Sequence, residues 1–259
     1  MRFAIGGVLV ALVLIVLAAL TNTARERPAS RPDRTELATP IVLYDGALGT
    51  GTPDTQGFFY LTQPPTTVQA TQTFTTPITI LDTTPQRTDF AGYFAKPGLY
   101  APLDRVRGYQ VRFTAQVVAE SHVSNDRAGF SLLVTSSDKR GIELGFWENE
   151  VWAQEGGSSQ PFTHAEGAVF TTTAGLIEYR LGVLGNSYTL AANGVTILSG
   201  PLRDYTLAPA PPLPINPYTT ANLIFLGDDT SSAQVILKLE AVSVIDAPPF
   251  SVYLPLIGK

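Results

Sequence analysis

Apolar and polar residues alternate along much of this chain, and this alternation constrains the fold more than any other feature. In segment 109–120, YQVRFTAQVVAE, every second residue from Tyr109 to Val117 is apolar, and the residues between them are polar. A period of two is typical of a β-strand with one buried face. No segment carries a sustained helical period. Further strands are predicted at 128–136, 141–147, 151–154, 176–184, 187–192, 195–199, 222–227 and 232–245.

Turn residues divide these strands into hairpins. A tight turn at Glu148 and Asn149 joins two strands, and Asn193-Gly194 is the strongest short hairpin signal in the chain. The proline-rich segment 207–217, LAPAPPLPINP, is predicted to be a loop. Many short strands predict an all-β, two-sheet antiparallel sandwich. The chain is longer than an immunoglobulin-type domain needs, so a jelly roll of the concanavalin A-like type fits the length better. Strand count alone does not separate these two folds, and the choice also depends on a family resemblance.

The amino-acid composition excludes several kinds of functional site. The chain contains no cysteine, which excludes disulfides, a thiolate nucleophile and a cysteine-ligated metal. The fold must therefore depend on its apolar core. The formal net charge is −5, and no basic cluster follows the first residues. Nucleic acid is not an expected partner, because neutralising phosphates needs clustered lysines and arginines.

The chain begins with an unbroken apolar run from Phe3 to Leu20 behind a single Arg2. Such a run predicts one N-terminal hydrophobic helix, either a signal peptide or a membrane anchor, over residues 1–24. Whether it is cleaved stays open. The positive residue in front of the run predicts that the rest of the chain is extracytoplasmic, at the cell surface or secreted. An uncleaved segment would make the membrane a partner.

The composition of the remaining sequence divides it into three segments. Residues 25–40 are polar and rich in arginine and proline, which predicts a flexible linker. The globular domain is predicted over 41–247. The last residues, 248–259, end in VYLPLIGK. They are interpreted either as a sorting or attachment segment or as a short apolar strand packed on the domain.

A series of polar motifs carries a family resemblance. The stretch AESHVSNDRAGFSLLVTSSDKRGIELGFWENEVWAQ (119–154) is followed by FTHAEGA (162–168), LSGPLRDY (198–205) and FLGDDTSSA (225–233). Over about residues 41–246, this series resembles the choice-of-anchor family of exported bacterial proteins, most closely the choice-of-anchor Y type. The resemblance implies an exported single domain with variable C-terminal attachment signals. It implies no established activity.

The two histidines of the chain each have a carboxylate two residues away, as Glu-x-His and His-x-Glu. Residues i and i+2 of an extended segment share a face, so the two pairs would converge if their segments adjoin. Such a set is interpreted as a satisfied polar cluster, with a divalent transition metal site and an acid–base pair as alternatives. The predicted cluster comprises Glu120, His122, Asn125, Asp126, Arg127, His164 and Glu166.

Two tryptophans flank the Glu148–Asn149 turn. Glu143, Trp147, Trp152 and Gln154 are predicted to line one side of a sheet as a platform for a glycan, since aromatic rings pack against the C–H faces of sugars. The alternative is that both tryptophans are buried under a loop, such as the proline-rich one. No cofactor is expected, although Asp228 and Asp229 form an oxygen-rich turn that suits either calcium or an ordinary connection.

The glutamates near the turn invite comparison with jelly-roll glycoside hydrolases, which place acids on alternate residues of one strand. Here Gly145 occupies the central position and Glu148 falls at an odd offset. A retaining mechanism needs two carboxyls about 5–5.5 Å apart, which this strand does not supply. The expected function is therefore a non-enzymatic surface protein that binds or displays, with a glycan as ligand. The alternatives are a structural cell-envelope protein and a glycoside hydrolase.

Overall fold

The computed structural model describes residues 39–157 and 162–246. Two short 3₁₀ helices, Gly46–Leu48 and Pro53–Thr55, are the helical elements of these residues. Sixteen strands make up the rest of the regular structure. They are β1 Ile41–Asp45, β2 Phe58–Gln63, β3 Thr71–Thr75, β4 Ile78–Asp82, β5 Phe90–Ala95, β6 Tyr109–His122, β7 Phe130–Thr135, β8 Arg140–Phe146, β9 Glu150–Gln154, β10 His164–Val169, β11 Ile177–Leu184, β12 Ser187–Ala192, β13 Val195–Pro201, β14 Arg203–Asp204, β15 Leu223–Asp228 and β16 Ala233–Asp246.

The strands form two antiparallel sheets. The first has the order β13-β12-β11-β6-β16-β4-β3, with β1 paired to β16. The second has the order β10-β9-β8-β7-β15-β5-β2, with β14 paired to β8. The expectation of an all-β sandwich of two antiparallel sheets is confirmed. Strands β6 and β16 pair over their whole lengths at the centre of the first sheet.

The main core lies between the two sheets. The alternate residues Val111, Phe113 and Leu237 face it from the first sheet, and Leu132 and Phe146 face it from the second. Aromatic packing continues through this layer, because Phe113 stacks on Tyr179 with ring centroids 5.0 Å apart. The apolar face of each alternating strand is therefore the buried one, as the period of two predicts.

A second, smaller core covers the outer face of the second sheet. The odd residues of β7 and β15, such as Leu133 and Phe225, pack there against the loop between β14 and β15, here called the proline loop (residues 205–222). Tyr205, Ala208, Leu213 and Tyr218 are the buried apolar residues that this loop contributes to the second core. The sheet therefore has apolar contacts on both faces, so β7 and β15 are buried along their whole lengths.

Both predicted hairpins are present. Trp147 N donates to Glu150 O at 2.9 Å across the Glu148–Asn149 turn. Asn193 and Gly194 have φ of 48° and 82°, the left-handed conformations that a two-residue hairpin turn requires. Sequence reasoning assigned no strand to β1–β5, β10 or β14. Strand β10, HAEGAV, offers no apolar alternation, and β3, TQTFT, is mostly threonine.

Several predicted features lie outside the described residues: the N-terminal hydrophobic helix (1–24), nearly all of the linker (25–40) and the C-terminal segment (248–259). The first and last strands of the described part begin at Ile41 and end at Asp246. Among residues 39–157 and 162–246, no helix is both long enough and apolar enough to cross a membrane.

Candidate functional site

A buried charge network lies on the outer face of the second sheet, beneath the proline loop. Arg127 Nη2 donates to Asp229 Oδ1 at 2.7 Å, and Arg127 Nη1 lies 3.6 Å from Glu143 Oε1. The hydroxyl of Tyr218 donates to Asp229 Oδ2 at 2.8 Å. The side chains of Arg127, Asp229 and Glu143 are 9%, 0% and 1% exposed. One guanidinium thus faces two carboxyl groups in a nearly fully buried position.

Burial decides the protonation of this network. It raises the pKa of Glu143 to about 8, and the negative charge of Asp229 adds to the effect, while Arg127 opposes it. Glu143 is therefore mostly a neutral acid at pH 7. Burial also disfavours the charge of Arg127, but Asp229 and its neighbours hold the pKa of the guanidinium well above its usual value. The network then carries one matched ion pair.

An open cleft of about 360 Å³ lies over this network and is here called the proline cleft. Its walls are segment 124–127, the prolines of segment 209–212 and the turn 229–232. The ring of Phe162 lies across the guanidinium of Arg127, with 4.3 Å from Cζ to the ring centroid. The lining side chains with hydroxyl or carboxylate groups are Ser124, Asp126, Tyr218, Asp229, Thr230, Ser231 and Ser232, and the aromatic ones are Phe90, Phe162 and Tyr218.

Beside the proline cleft, four aromatic side chains form a row, here called the His–Trp cluster (His122, Trp147, Trp152 and His164). His122 stacks on Trp147 with centroids 4.1 Å apart, and His164 stacks on Trp152 at 4.3 Å. The two indoles meet edge to face at 5.4 Å. Gly145 leaves room for the indole of Trp152, because a Cβ at position 145 would lie 2.8 Å from two atoms of that indole. The glycine that replaces a catalytic acid in the sequence comparison thus has a packing role.

The predicted glycan platform is not an open face. Trp152 is 0% exposed, and Glu143 and Gln154 are each 1% exposed. Tyr205 of the proline loop covers this region, because its hydroxyl accepts from Glu143 N at 3.0 Å and donates to Gln154 O at 2.7 Å. Trp147 alone is partly exposed. The alternative interpretation, that both tryptophans are buried, holds for Trp152 and not for the partly exposed Trp147.

The two Glu–His pairs have different outcomes. Glu120 and His122 meet, with 2.9 Å between Oε2 and Nδ1. Glu166 does not meet His164. It accepts from Arg203 Nη1 and from the Tyr188 hydroxyl, each at 2.8 Å.

His164 instead meets Glu150, with 3.0 Å between Nε2 and Oε1. Asn125 O lies 3.1 Å from its Nδ1, and Asp126 Oδ1 accepts from its backbone N–H at 3.2 Å. The two pairs therefore do not converge into one four-ligand set. Within the described ranges, no group of three or more histidine, aspartate or glutamate side chains is placed to hold a metal ion.

The acidic turn is occupied by protein donors. Asp228 Oδ2 accepts from the Thr83 hydroxyl at 2.7 Å, and its Oδ1 accepts from Thr230 N at 3.1 Å. Burial raises the pKa of Asp228 well above its usual value. Since both oxygens of Asp229 are also engaged, by Arg127 and Tyr218, a calcium ion would have to displace these donors. Calcium binding at Asp228 and Asp229 stays a prediction. Among the described residues, the carboxylate oxygens of both side chains already accept hydrogen bonds from protein groups.

Sequence reasoning missed Phe162, Tyr205, Tyr218 and Glu150. The two tyrosines flank a proline-rich segment, and an aromatic residue beside prolines is a signal that the loop packs on the domain rather than projecting from it. Phe162 and Glu150 offer no local signal, because their roles depend on strands and loops far along the chain.

The comparisons with known proteins concern the fold. No family model matches the chain, and no curated protein matches it. The carbohydrate esterase of the Shiga toxin-encoding bacteriophage phi24B is similar in structure, with a TM-score of 0.55 at 10% identity. That match covers 81% of this chain and 99% of the esterase chain.

Two further solved structures match more loosely. The exoplasmic/lumenal domain of VIP36, in a form bound to Ca²⁺ and mannose, has a TM-score of 0.46 at 10% identity, over 79% of this chain and 87% of that chain. Family 7 alginate lyase A1-II′ has a TM-score of 0.43 at 11% identity, over 66% and 78%. The all-β, two-sheet class is what the structure shows, and the finer concanavalin A-like assignment stays a prediction. At such low identity the likeness to the esterase shows the fold alone, and membership of the choice-of-anchor family stays a prediction.

Proposed function

We propose that this chain is an exported, non-enzymatic β-sandwich protein that binds a carbohydrate in the proline cleft. One observation carries the proposal: the cleft combines aromatic rings with hydroxyl and carboxylate groups in a volume of about 360 Å³. Small-ligand pockets have volumes of roughly 300–1,000 Å³ and combine apolar walls with a few polar groups. A sugar ring presents the complementary surface, with C–H faces for the rings and hydroxyls for the polar side chains.

A carbohydrate ligand is consistent with the names of the similar solved structures, which describe proteins that act on or bind carbohydrates. The support for export comes from the sequence, in which Arg2 precedes an unbroken apolar run from Phe3 to Leu20. A hydrolytic role for Glu143 finds no support, because the carboxyl group is 1% exposed beneath Tyr205.

The test is binding of the purified full chain to a glycan microarray, followed by affinity measurement for any glycan retained. Phe162→Ala removes the ring that lies over Arg127 in the cleft. We expect it to weaken binding at least tenfold, which corresponds to about 1.4 kcal/mol. The matched control is Phe59→Ala, which truncates a phenylalanine that is 44% exposed on β2. This control should bind within twofold of the wild type.

Retention of no glycan, or equal affinity for the Phe162→Ala variant and the wild type, would contradict the proposal. Self-association of the wild type without any glycan binding would favour the structural alternative. Repeating the array with and without calcium tests the calcium prediction at the same time, because a calcium-dependent site would lose its ligand on chelation.

A further inference from the structure

The His–Trp cluster contains every histidine and every tryptophan of the chain, two of each. The ring of His122 stacks on Trp147, and the ring of His164 stacks on Trp152. His164 also meets Trp147 edge to face, with centroids 5.1 Å apart. The proposed function does not use this arrangement, although it lies beside the proline cleft.

Among the described residues, the hydrogen-bond partners of the His164 ring are two acceptors. Its Nδ1 lies 3.1 Å from the carbonyl oxygen of Asn125, and its Nε2 lies 3.0 Å from Glu150 Oε1. A carbonyl and an ionised carboxylate both accept hydrogen bonds, and a neutral imidazole has only one N–H to donate. Both contacts are therefore hydrogen bonds only when the ring carries two protons. With one proton, a nitrogen lone pair faces an oxygen lone pair.

The Asn125 contact joins β9 and β10 to a wall of the proline cleft. Segment 124–127 lines the cleft with Ser124, Asp126 and Arg127. The same segment is held by two neighbouring bonds, from His164 N to Asp126 Oδ1 at 3.2 Å and from Trp147 Nε1 to Arg127 O at 3.0 Å. A change in the His164 ring therefore acts on the wall that a ligand would touch.

The second histidine provides an internal contrast. His122 Nδ1 meets Glu120 on its own strand, at 2.9 Å from Oε2, and its ring stacks on Trp147. It has no hydrogen bond to segment 124–127 among the described residues. The titratable and charged groups that face the two histidines from the surrounding strands and turns are Glu120, Asp126, Glu148 and Glu150.

We propose that His164 is a pH-sensitive latch whose doubly protonated ring ties Asn125 to Glu150 and so holds segment 124–127 against the second sheet. Loss of one proton breaks one of the two ties and loosens this wall of the proline cleft. The ring gains its second N–H donor on acidification, so the latch closes toward acidic pH. The effect on ligand affinity rests on the proposed function, whereas the latch itself does not.

The first experiment follows the histidine rings by ¹⁵N NMR from pH 5 to 8. We expect both ring nitrogens of His164 to carry protons at the acidic end, and the Asn125 and Asp126 amide signals to shift with the same midpoint. His164→Gln should abolish these amide shifts, and the matched His122→Gln should leave them. Glu150→Gln is the second variant, and it should reduce them because it removes the charge that favours the second proton.

A His164 ring that keeps one protonation state from pH 5 to 8 would overturn the latch, as would amide shifts that persist in both His164→Gln and Glu150→Gln. The second experiment measures the affinity of a retained glycan at pH 5.5 and 7.5. We expect binding at least threefold tighter at pH 5.5 in the wild type and in His122→Gln, and no such difference in His164→Gln. Equal affinities in the wild type would overturn the link to the cleft. If no glycan binds at any pH, the proposed function fails while the NMR result still decides the latch.

Discussion

The outer faces of the two sheets differ in what covers them. The outer face of β6 and β11 in the first sheet carries the polar residues of each alternating strand, such as Arg112 and Arg180, at the surface. The outer face of the second sheet is covered by the proline loop, and Glu143 and Arg127 lie beneath it. Both sheets show the same strand geometry. This comparison indicates that the proline loop, rather than the strands, creates the candidate site.

Ion pairs on the two faces show the consequence. Arg180 pairs with Glu178 on the open face, where the side chains are 38% and 40% exposed. Arg127 pairs with Asp229 under the cover, where they are 9% and 0% exposed. Water solvates the first pair whether or not it forms, while the second pair has lost its water and depends on its partners. An arginine–carboxylate pair is therefore expected to matter more for stability under the proline loop than on the open face.

The largest expected effect comes from breaking the covered pair. Arg127→Met leaves Asp229 buried without its cation, and we expect a loss of about 3–5 kcal/mol in the free energy of unfolding. The matched change on the open face, Arg180→Met, should cost no more than about 1 kcal/mol. Urea denaturation of both variants measures the difference. Equal losses would show that the proline loop does not isolate its charges from solvent.

A smaller effect is expected from the bond between the proline loop and the sheet. Tyr205→Phe removes the hydroxyl that links Glu143 N to Gln154 O and leaves the buried amide without its acceptor. We expect a cost of about 1–3 kcal/mol. The control is Tyr60→Phe, since the buried Tyr60 hydroxyl has no hydrogen-bond partner among the described residues. Thermal and urea unfolding should find that control unchanged or slightly stabilised, and the reverse order would contradict the assigned role of Tyr205.

The last expected effect concerns the pH dependence of stability rather than stability at one pH. The pKa of Glu143 is raised to about 8 in the folded state, against about 4.3 for an unfolded glutamate. A raised pKa means that the folded state binds the proton more tightly, so this stabilisation is complete below about pH 4.3 and is lost as the pH rises toward 8. Burial of Asp228 raises its pKa and acts with the same sign.

Glu143→Gln keeps the shape of the neutral acid and removes its titration. The unfolding free energy of this variant should therefore fall less steeply between pH 5 and 8 than that of the wild type. Denaturation midpoints at several pH values measure the two slopes. Identical slopes would mean that Glu143 does not titrate in the covered network.

The two Glu–His motifs mark the limit of what local sequence predicts about the site. The i, i+2 spacing correctly placed Glu120 beside His122, because both residues lie on one extended strand. The same spacing failed for His164 and Glu166. There β10 has a register shift between His164 and Gly167, and the carboxylate meets Arg203 rather than the imidazole. A bulge changes which side chains share a face, and spacing alone carries no sign of it.

The sequence by itself determined the all-β class, most of the strands after Tyr109 and both tight turns, because period-two alternation and turn chemistry act between residues a few positions apart. Only the tertiary structure decided that the proline-rich segment covers a sheet and that Arg127 meets Asp229, 102 positions away. It also decided that His164 meets Glu150 rather than Glu166. These contacts depend on strand order, register and the burial of a loop, which are properties of the packed molecule rather than of any single segment.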